Sequence, residues 1–481
     1  MDSPLVAGVD SSTQATKVLL VDLEQGRVVA TGRASHEVTG SGGARESDPE
    51  QWWTALGQAL AATGRAGDVA AIAVGAQQHG LVTLDATGRP LRPAILWNDT
   101  RAAAETAQLH AAFGGRQRWA DRIGSVPLPA FTVSSWAWLR AHEPEMAAAT
   151  RAIRLPHDLL TERLCGRAVT DRGDASGTGW WSPTDDAYDA EVLDLPEVGI
   201  DPALLPEVAD FAAPAGLTGA AVSEQLGLPQ GIPVGVGTGD NMAAALGLGL
   251  GPGEPVMSLG TSGTSYLVAR AQPIGDASGV VAGFADATDR FLPLSCTLNC
   301  TLAVDRTAAW LGRDREQVEP GGEVVVLPFL DGERTPDLPR AAGTITGLRH
   351  ETSPGQILRA AYEGAVFSLL EAIGHLEAAT EPLGDDTPLL LIGGGSRGQV
   401  WQEVVARLSG RPLIVPDADE LVALGAAAQA AGMITGESPY EVARRWGTRT
   451  GQTVEPRERD EATLARLREV RAGLEPFNLG R

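Results

Sequence analysis

Cysteine is nearly absent from this 481-residue chain; Cys165, Cys296 and Cys300 are the only three. An odd, small number in a long chain builds no disulfide framework and fits a reducing compartment such as the cytoplasm. Cys296 and Cys300 stand four apart, a spacing that would place both on one helix face. With no histidine or further cysteine beside them, they read as core residues rather than as half of a metal site. Long apolar runs are also missing. No stretch approaches the ~18 apolar residues a membrane helix needs, and Met1 to Val9 lack the basic start of a signal peptide. Positive charge is scarce, with 38 Lys and Arg against 61 Asp and Glu and a formal net charge of −23. Nucleic acid and anionic membranes both select a basic footprint, so this balance argues against either as a partner. Scarcest of all is lysine: Lys17 is the one basic residue of the 38 that is not arginine.

The remaining composition is that of a globular enzyme, and the length suits two or three domains. Leu5 to Val9 and Lys17 to Val21 are short β-rich runs around a polar turn and read as a hairpin, with a third strand from Val28. The pattern recurs at Val256 to Leu259, where Gly260-Thr261-Ser262-Gly263-Thr264 leads into Ser265 to Ala269. Two such units some 250 residues apart suggest two related domains. Between and after them strands alternate with helices, which indicates an α/β fold. Val69 to Gly75 reads as a buried strand and Asp48 to Ala62 as a helix with Pro49 just inside its start. A strand over Pro233 to Gly239 is expected to run into a helix over Asn241 to Leu248. Leu389 to Ile392 is expected to lead through Gly393-Gly394-Gly395-Ser396 into a helix near Gln399 to Leu408. A Gly/Pro-rich stretch at Gly249 to Glu254 marks the boundary, which divides the chain into 1–248 and 249–481.

Three segments carry residue types suited to phosphate chemistry. In Asp10-Ser11-Ser12-Thr13-Gln14-Ala15-Thr16-Lys17, small residues let backbone N–H groups approach phosphate oxygens. Asp10 stands where a carboxylate could hold Mg²⁺, and Lys17 supplies a compact positive charge. An ordinary surface hairpin has the same pattern. Gly237-Thr238-Gly239-Asp240-Asn241 puts a carboxylate on an uncrowded strand-to-helix turn. There it serves either as the base that accepts a nucleophile's proton or as a helix cap. The Gly393–Ser396 turn suits a nucleotide pressed against backbone. The pattern G-x-x-x-x-G-K-[ST] does not occur, which argues against a P-loop enzyme. Gln77-Gln78-His79-Gly80 and Trp97-Asn98-Asp99 are polar and aromatic in the manner of a sugar pocket, or else a structural histidine and an anchored turn.

In this order the motifs resemble the FGGY family of carbohydrate kinases, most closely the branch that phosphorylates xylulose. The resemblance spans nearly the whole chain. It takes in Asp10 to Lys17, Asp48 to Trp53, Gln78-His79-Gly80, Ile95 to Asp99, Leu155-Pro156-His157-Asp158 and Gly239-Asp240-Asn241. It continues through Ser258 to Gly263, Phe329 to Pro336, Gly343 to Leu348 and Ala360 to Glu363. It implies two ribonuclease-H-like, actin-type domains closing over a cleft that holds ATP and sugar. On this resemblance Asp240 is the base for the C5 hydroxyl of D-xylulose, and Asp10 organises Mg²⁺. Ser12, Thr13, Lys17, Gly260, Thr261 and Ser262 cradle phosphates, with Gly394, Gly395 and Ser396 near the adenosine. Gln78, His79, Trp97, Asp99 and Asn241 would hold the sugar. The expected activity is ATP-dependent formation of D-xylulose 5-phosphate. A kinase for another ketose or polyol, an actin-like ATPase and a sugar sensor are the alternatives, and a homodimer stays open. Two departures stand out: Ser12 occupies a position where many members carry glycine, and Gln78 one where other members of the branch carry Met. The Arg-Glu pair of the glycerol kinase branch is not present at that point.

Overall fold

The computed structural model describes residues 3–338 and 340–478. Its first sheet starts with three antiparallel strands, β1 (Leu5–Ser11), β2 (Ala15–Asp22) and β3 (Val28–Ser35). β4 (Val69–Ala76) adds in parallel to the free edge of β1. β5 (Pro214–Leu217) pairs antiparallel with β6 (Pro233–Gly235), which runs parallel to β4, and the short β7 (Thr238–Gly239) also pairs with β4. All seven residues of β1 are buried. Alternate side chains point to opposite faces of a strand, so both faces must be covered. Leu5, Ala7 and Val9 pack with Trp52, Leu56 and Leu60 of helix α1 (Pro49–Ala62), whereas Val6 faces an alanine-rich helix on the other side. α1 starts where the sequence indicates. Pro49 opens it, and the Asp48 side chain caps it by accepting from the Glu50 N–H at 3.0 Å.

After helices α2 (Pro156–Cys165), α3 (Arg172–Ser176) and α4 (Asp240–Gly247) the plan repeats. The second sheet holds β8 (Pro255–Leu259), β9 (Gly263–Leu267), β10 (Ala282–Ala285), β11 (Phe291–Thr297), β12 (Leu389–Ile392), β13 (Leu413–Pro416) and β14 (Gly451–Val454). Their spatial order is β10-β11-β9-β8-β12-β13-β14. The hairpin β8–β9 and strand β11 are antiparallel, and β12 lies parallel to β8. Helices α5 (Thr301–Trp310), α6 (Pro354–Ala379) and α7 (Gln399–Ser409) cover it. In both sheets the first strand of a hairpin lies beside a parallel strand and the second beside a further antiparallel strand, so the recurrence seen in the sequence is one of topology.

The alanine-rich helix α8 (Leu421–Thr435) comes from the second half of the chain yet packs on β1 and β4 of the first sheet and against α4. Glycines permit this approach: a Cβ at Gly425 would fall 1.8 Å from the Ala243 carbonyl oxygen, and one at Gly8 would fall 1.8 Å from that of Ala423. Glycine inside a helix costs about 1 kcal/mol against alanine, and here no other residue lets the two backbones meet.

Three local expectations need correction. The strand expected over Pro233 to Gly239 is interrupted, because Gly237 takes φ +83°, so β6 and β7 are separate pieces along β4. The second hairpin returns at Gly263–Leu267 rather than Ser265 to Ala269. Cys296 lies in a strand while the buried Cys300 precedes α5, so the two share no helix face. Among the described residues no helix is long and apolar enough to cross a membrane.

Candidate active site

The register of the first hairpin sets the first half of the site. Asp10 and Lys17 are directly opposed across β1 and β2, and Lys17 Nζ lies 3.6 Å from Asp10 Oδ2. The same ammonium donates to Glu420 Oε2 at 2.5 Å. Glu420 precedes α8 with a left-handed backbone (φ +57°) and makes no side-chain cap, so its carboxylate reaches across to the other half of the protein. Burial pushes the Asp10 carboxyl up to about 6, a rise that the Lys17 charge partly offsets. Asp10 Oδ1 is buried without a hydrogen-bond donor, and a hard cation or its bound water would satisfy such an oxygen. Among the described residues no group of three or more His, Cys, Asp or Glu could hold a metal by itself. Mg²⁺ here would borrow ligands from phosphate and water, as it commonly does.

The turn itself is closed from inside. Ser12 donates from both N (3.0 Å) and Oγ (2.9 Å) to the Ala15 carbonyl, so its hydroxyl holds the turn's shape. Thr13 Oγ1 accepts from Trp97 Nε1 at 3.0 Å, which ties the turn to the Trp97 segment.

The second half of the site is the turn into α4. Gly239 stands at the N-cap and Asp240 is the first helical residue, with no side-chain cap hydrogen bond. The capping role open to Asp240 from sequence is therefore not the one it takes. Instead Asp240 Oδ1 accepts from Asn241 Nδ2 at 3.0 Å, and that nitrogen also donates to Gln78 Oε1 at 2.8 Å. Burial, then the negative charges of Asp10 and Asp174, push the Asp240 carboxyl up to about 7. A carboxyl near 7 gains and loses a proton under neutral conditions, as a general base must. His79 is half-buried, has φ +64°, and stacks on Phe131 with ring centroids 4.7 Å apart. Its Nδ1–H donates to the Gly177 carbonyl at 2.6 Å, and burial pushes its pKa down to about 4. The ring is therefore neutral at pH 7, and Nε2 is left as an acceptor.

Two further glycine turns follow strands β8 and β12 of the second sheet. Gly260, Thr261 and Ser262 form the tip of the second hairpin, and Thr301 anchors it by donating from N and Oγ1 to the Gly260 carbonyl. Gly393 has φ +87°, and a Cβ there would lie 2.8 Å from the Leu259 carbonyl oxygen. A Cβ at Gly395 would meet Thr301 Cγ2 at 2.9 Å. Gly394 differs, because a Cβ there would have no protein atom within 4 Å. Its lack of a side chain opens space for a ligand and serves no packing need.

Asp10, Lys17, Asp240, Asn241, Gly394 and Ser396 line one cleft of about 710 Å³, joined there by Glu420 and Tyr266. Ser12, Thr13, Gln78, His79, Trp97, Gly260, Thr261, Ser262 and Gly395 are not part of that lining, and neither is Asp99. Only 2% exposed, its carboxylate accepts from the Arg45 and Arg101 N–H groups and pairs with the Arg101 guanidinium at 2.7 Å. Arg101 also pairs with Glu46, so Asp99 fixes the loop after Trp97. Two features of the site escape sequence reasoning. Glu420 lies 403 residues from Lys17, and nothing local marks it. His157, Asp158, Asp171 and Asp174 form a fully buried cluster behind the Asp240 turn. Leu155-Pro156-His157-Asp158 is visible as a motif, but its partners some fourteen residues on are not.

Known proteins resemble this chain over nearly its whole length. Family models described as the N-terminal and C-terminal domains of the FGGY family of carbohydrate kinases match residues 5–247 and 256–433. A xylulose kinase from Streptomyces coelicolor is 59% identical over 480 residues, covering 99% of this chain and 98% of that protein. One from Escherichia coli is 32% identical over 425 residues, 84% of this chain and 85% of that one. The crystal structure of xylulose kinase from Bifidobacterium adolescentis superposes with a TM-score of 0.83 at 34% identity, covering 98% and 99% of the two chains.

Proposed function

The chain belongs to the FGGY family of carbohydrate kinases, and from that premise we propose that it phosphorylates D-xylulose with ATP, giving D-xylulose 5-phosphate and ADP. The observation that carries this reading is the one cleft that Asp240 lines together with Asp10, Lys17 and Gly394, with open space beside Gly394. Sugar-phosphate transfer requires little covalent work from the protein. It requires a positioned acceptor hydroxyl, somewhere for its proton to go, and neutralisation of charge on the transferring group.

Each of these needs has a residue. Asp240 takes the proton from the C5 hydroxyl as its oxygen bonds to the γ-phosphorus and the bond to the ADP oxygen breaks. Its raised pKa matches that task without a separate base. Lys17 supplies the point charge for phosphate oxygens, exchanging its Glu420 partner for the nucleotide. Asp10 would hold Mg²⁺ through its donor-free oxygen, directly or through water, and the cation would neutralise phosphate charge. Backbone of the turns at Ser12–Thr13 and Gly260–Ser262 cradles phosphates, and Gly394, Gly395 and Ser396 receive the adenosine. His79 Nε2 and the Asn241 carbonyl accept from sugar hydroxyls, with the Trp97 ring beside them. Asp99 acts only through the loop it holds. The division at 248/249 assigns the sugar and base to the first domain and the adenosine to the second. We place the protein in the cytoplasm, where ATP and Mg²⁺ are at hand, and a homodimer would leave this single-chain site complete.

The test is Asp240→Asn in a steady-state assay with ATP, Mg²⁺ and D-xylulose. Turnover is expected to fall by at least ~10²–10⁴, the usual weight of a general base, with ATP affinity by calorimetry within about threefold of wild type. Near-normal turnover in that variant would refute the assignment of the base.

A further inference from the structure

We propose that Glu420 is a second carboxylate for the Mg²⁺ of the nucleotide, facing Asp10 across the Lys17 ammonium. The inference rests on the reading of this cleft as the ATP site. It starts from one atom: Lys17 Nζ lies 3.6 Å from Asp10 Oδ2 and 2.5 Å from Glu420 Oε2. The two oxygens are therefore at most about 6 Å apart, close enough for one ion to bind one directly and the other through a water. Among the described residues Lys17 is the only cation within ion-pair distance of either carboxylate. Phosphate oxygens that take Lys17, as the functional reading requires, leave Asp10 and Glu420 facing each other without a counter-charge. Mg²⁺ suits that place, because it binds through one or two carboxylates and completes its shell from phosphate and water.

Three further observations point to a ligand rather than to packing. Asp10 is 5% exposed and lines the cleft, yet its Oδ1 has no hydrogen-bond donor. Charge in the cleft is also unbalanced, since Asp10, Asp240, Asp419 and Glu420 line it against Lys17 and Arg397 alone. Arg397 is committed to Asp419 at 2.8 Å, so Asp10, Asp240 and Glu420 are left around one lysine. A polyphosphate brings more negative charge into such a cleft, and a divalent ion between protein and nucleotide offsets it. Lastly, Glu420 is strained where it stands. Its backbone is left-handed at φ +57°, a conformation that glycine adopts freely and glutamate does not. Its ion pair with Lys17 is partly open to water, with side chains 24% and 37% exposed, and such pairs stabilise a fold little. The strained glutamate therefore acts on what enters the cleft.

Calorimetric titration of the full chain with ADP, in excess Mg²⁺ and again in EDTA, reads this contact without turnover. Wild type should bind ADP at least roughly tenfold more tightly with Mg²⁺, the usual weight of a contact to the metal's ligand shell. Glu420→Gln should lose most of that gain, while its ADP affinity in EDTA weakens by no more than about threefold, since an exposed ion pair weighs little. Asp419→Asn removes a charge from the same lining, but one already matched by Arg397, and should change the gain by less than about threefold. A wild type that binds ADP equally in both buffers, a Glu420→Gln protein that keeps the full gain, or equal losses in the Glu420 and Asp419 variants would each overturn the proposal. If Glu420→Gln does not fold, Glu420→Gly, which suits the left-handed backbone, carries the same comparison. A wild type that binds no ADP in either buffer would refute the nucleotide reading itself, and the proposal with it.

Discussion

Asp240→Asn should make the ligand-free protein more stable at pH 8 even as it removes turnover, and the gain should disappear in acid. The folded protein holds this carboxyl at about 7 against 3.8 for an unperturbed one. Because the folded pKa is raised, the native state binds more protons than the unfolded chain between those values, and stability falls as pH rises from about 4 to about 7. A rise of about three units corresponds to about 4 kcal/mol once both states are ionised. Water reaching the partly exposed carboxylate in the cleft reduces this to about 2–3 kcal/mol. Asparagine carries no such penalty at any pH, and its carbonyl can still accept from Asn241. The assay is calorimetric unfolding of both proteins in EDTA without nucleotide, at pH 8 and at pH 4. A variant no more stable than wild type at pH 8, or equally favoured at both, would show that burial and the Asp10 and Asp174 charges do not raise the Asp240 pKa.

Other outcomes follow from the same geometry. For wild type, log(kcat/KM) should fall with unit slope below about pH 7, as Asp240 takes up its proton; a flat profile from pH 5 to 8 would contradict that. Lys17→Met should raise KM for ATP by roughly 10–100-fold, the worth of one charged phosphate contact, and unchanged ATP kinetics would remove Lys17 from the phosphate site. Gly394→Val should weaken ATP binding with little change in melting temperature, since no protein atom meets the added carbon. Gly425→Val, which drives a Cβ to 1.8 Å from the Ala243 carbonyl, should destabilise by several kcal/mol or prevent folding. Chelating Mg²⁺ should abolish turnover, and restoring it should recover activity.

Much of the fold and site is legible in the sequence alone, and for identifiable reasons. Strands such as Leu389–Ile392 and the start of α1 follow from residues adjacent along the chain: an apolar run, or a Pro after a capping Asp. Asp10, Lys17 and Asp240 can be singled out because their chemistry is written in their immediate neighbours. What the sequence hides is set by contacts distant along the chain. The Lys17–Glu420 pair closes over 403 residues. The cluster around His157 draws on α2 and α3, and its contact with the Asp240 turn becomes visible only when Thr238 is seen to donate to Asp171. Asp99 misleads for the complementary reason: beside Trp97 it resembles a sugar ligand, but Arg45 and Arg101 arrive to occupy it. The interruption at Gly237 likewise depends on how the segment meets β4 rather than on its own composition.

The most direct test of the proposed activity is ADP release by the wild-type protein with ATP and Mg²⁺ against D-xylulose, D-ribulose, L-ribulose, L-xylulose and glycerol. The expected result is that kcat/KM is highest for D-xylulose and that the product carries its phosphate on C5. A clear preference for another sugar, or ADP release that no sugar accelerates, would contradict it.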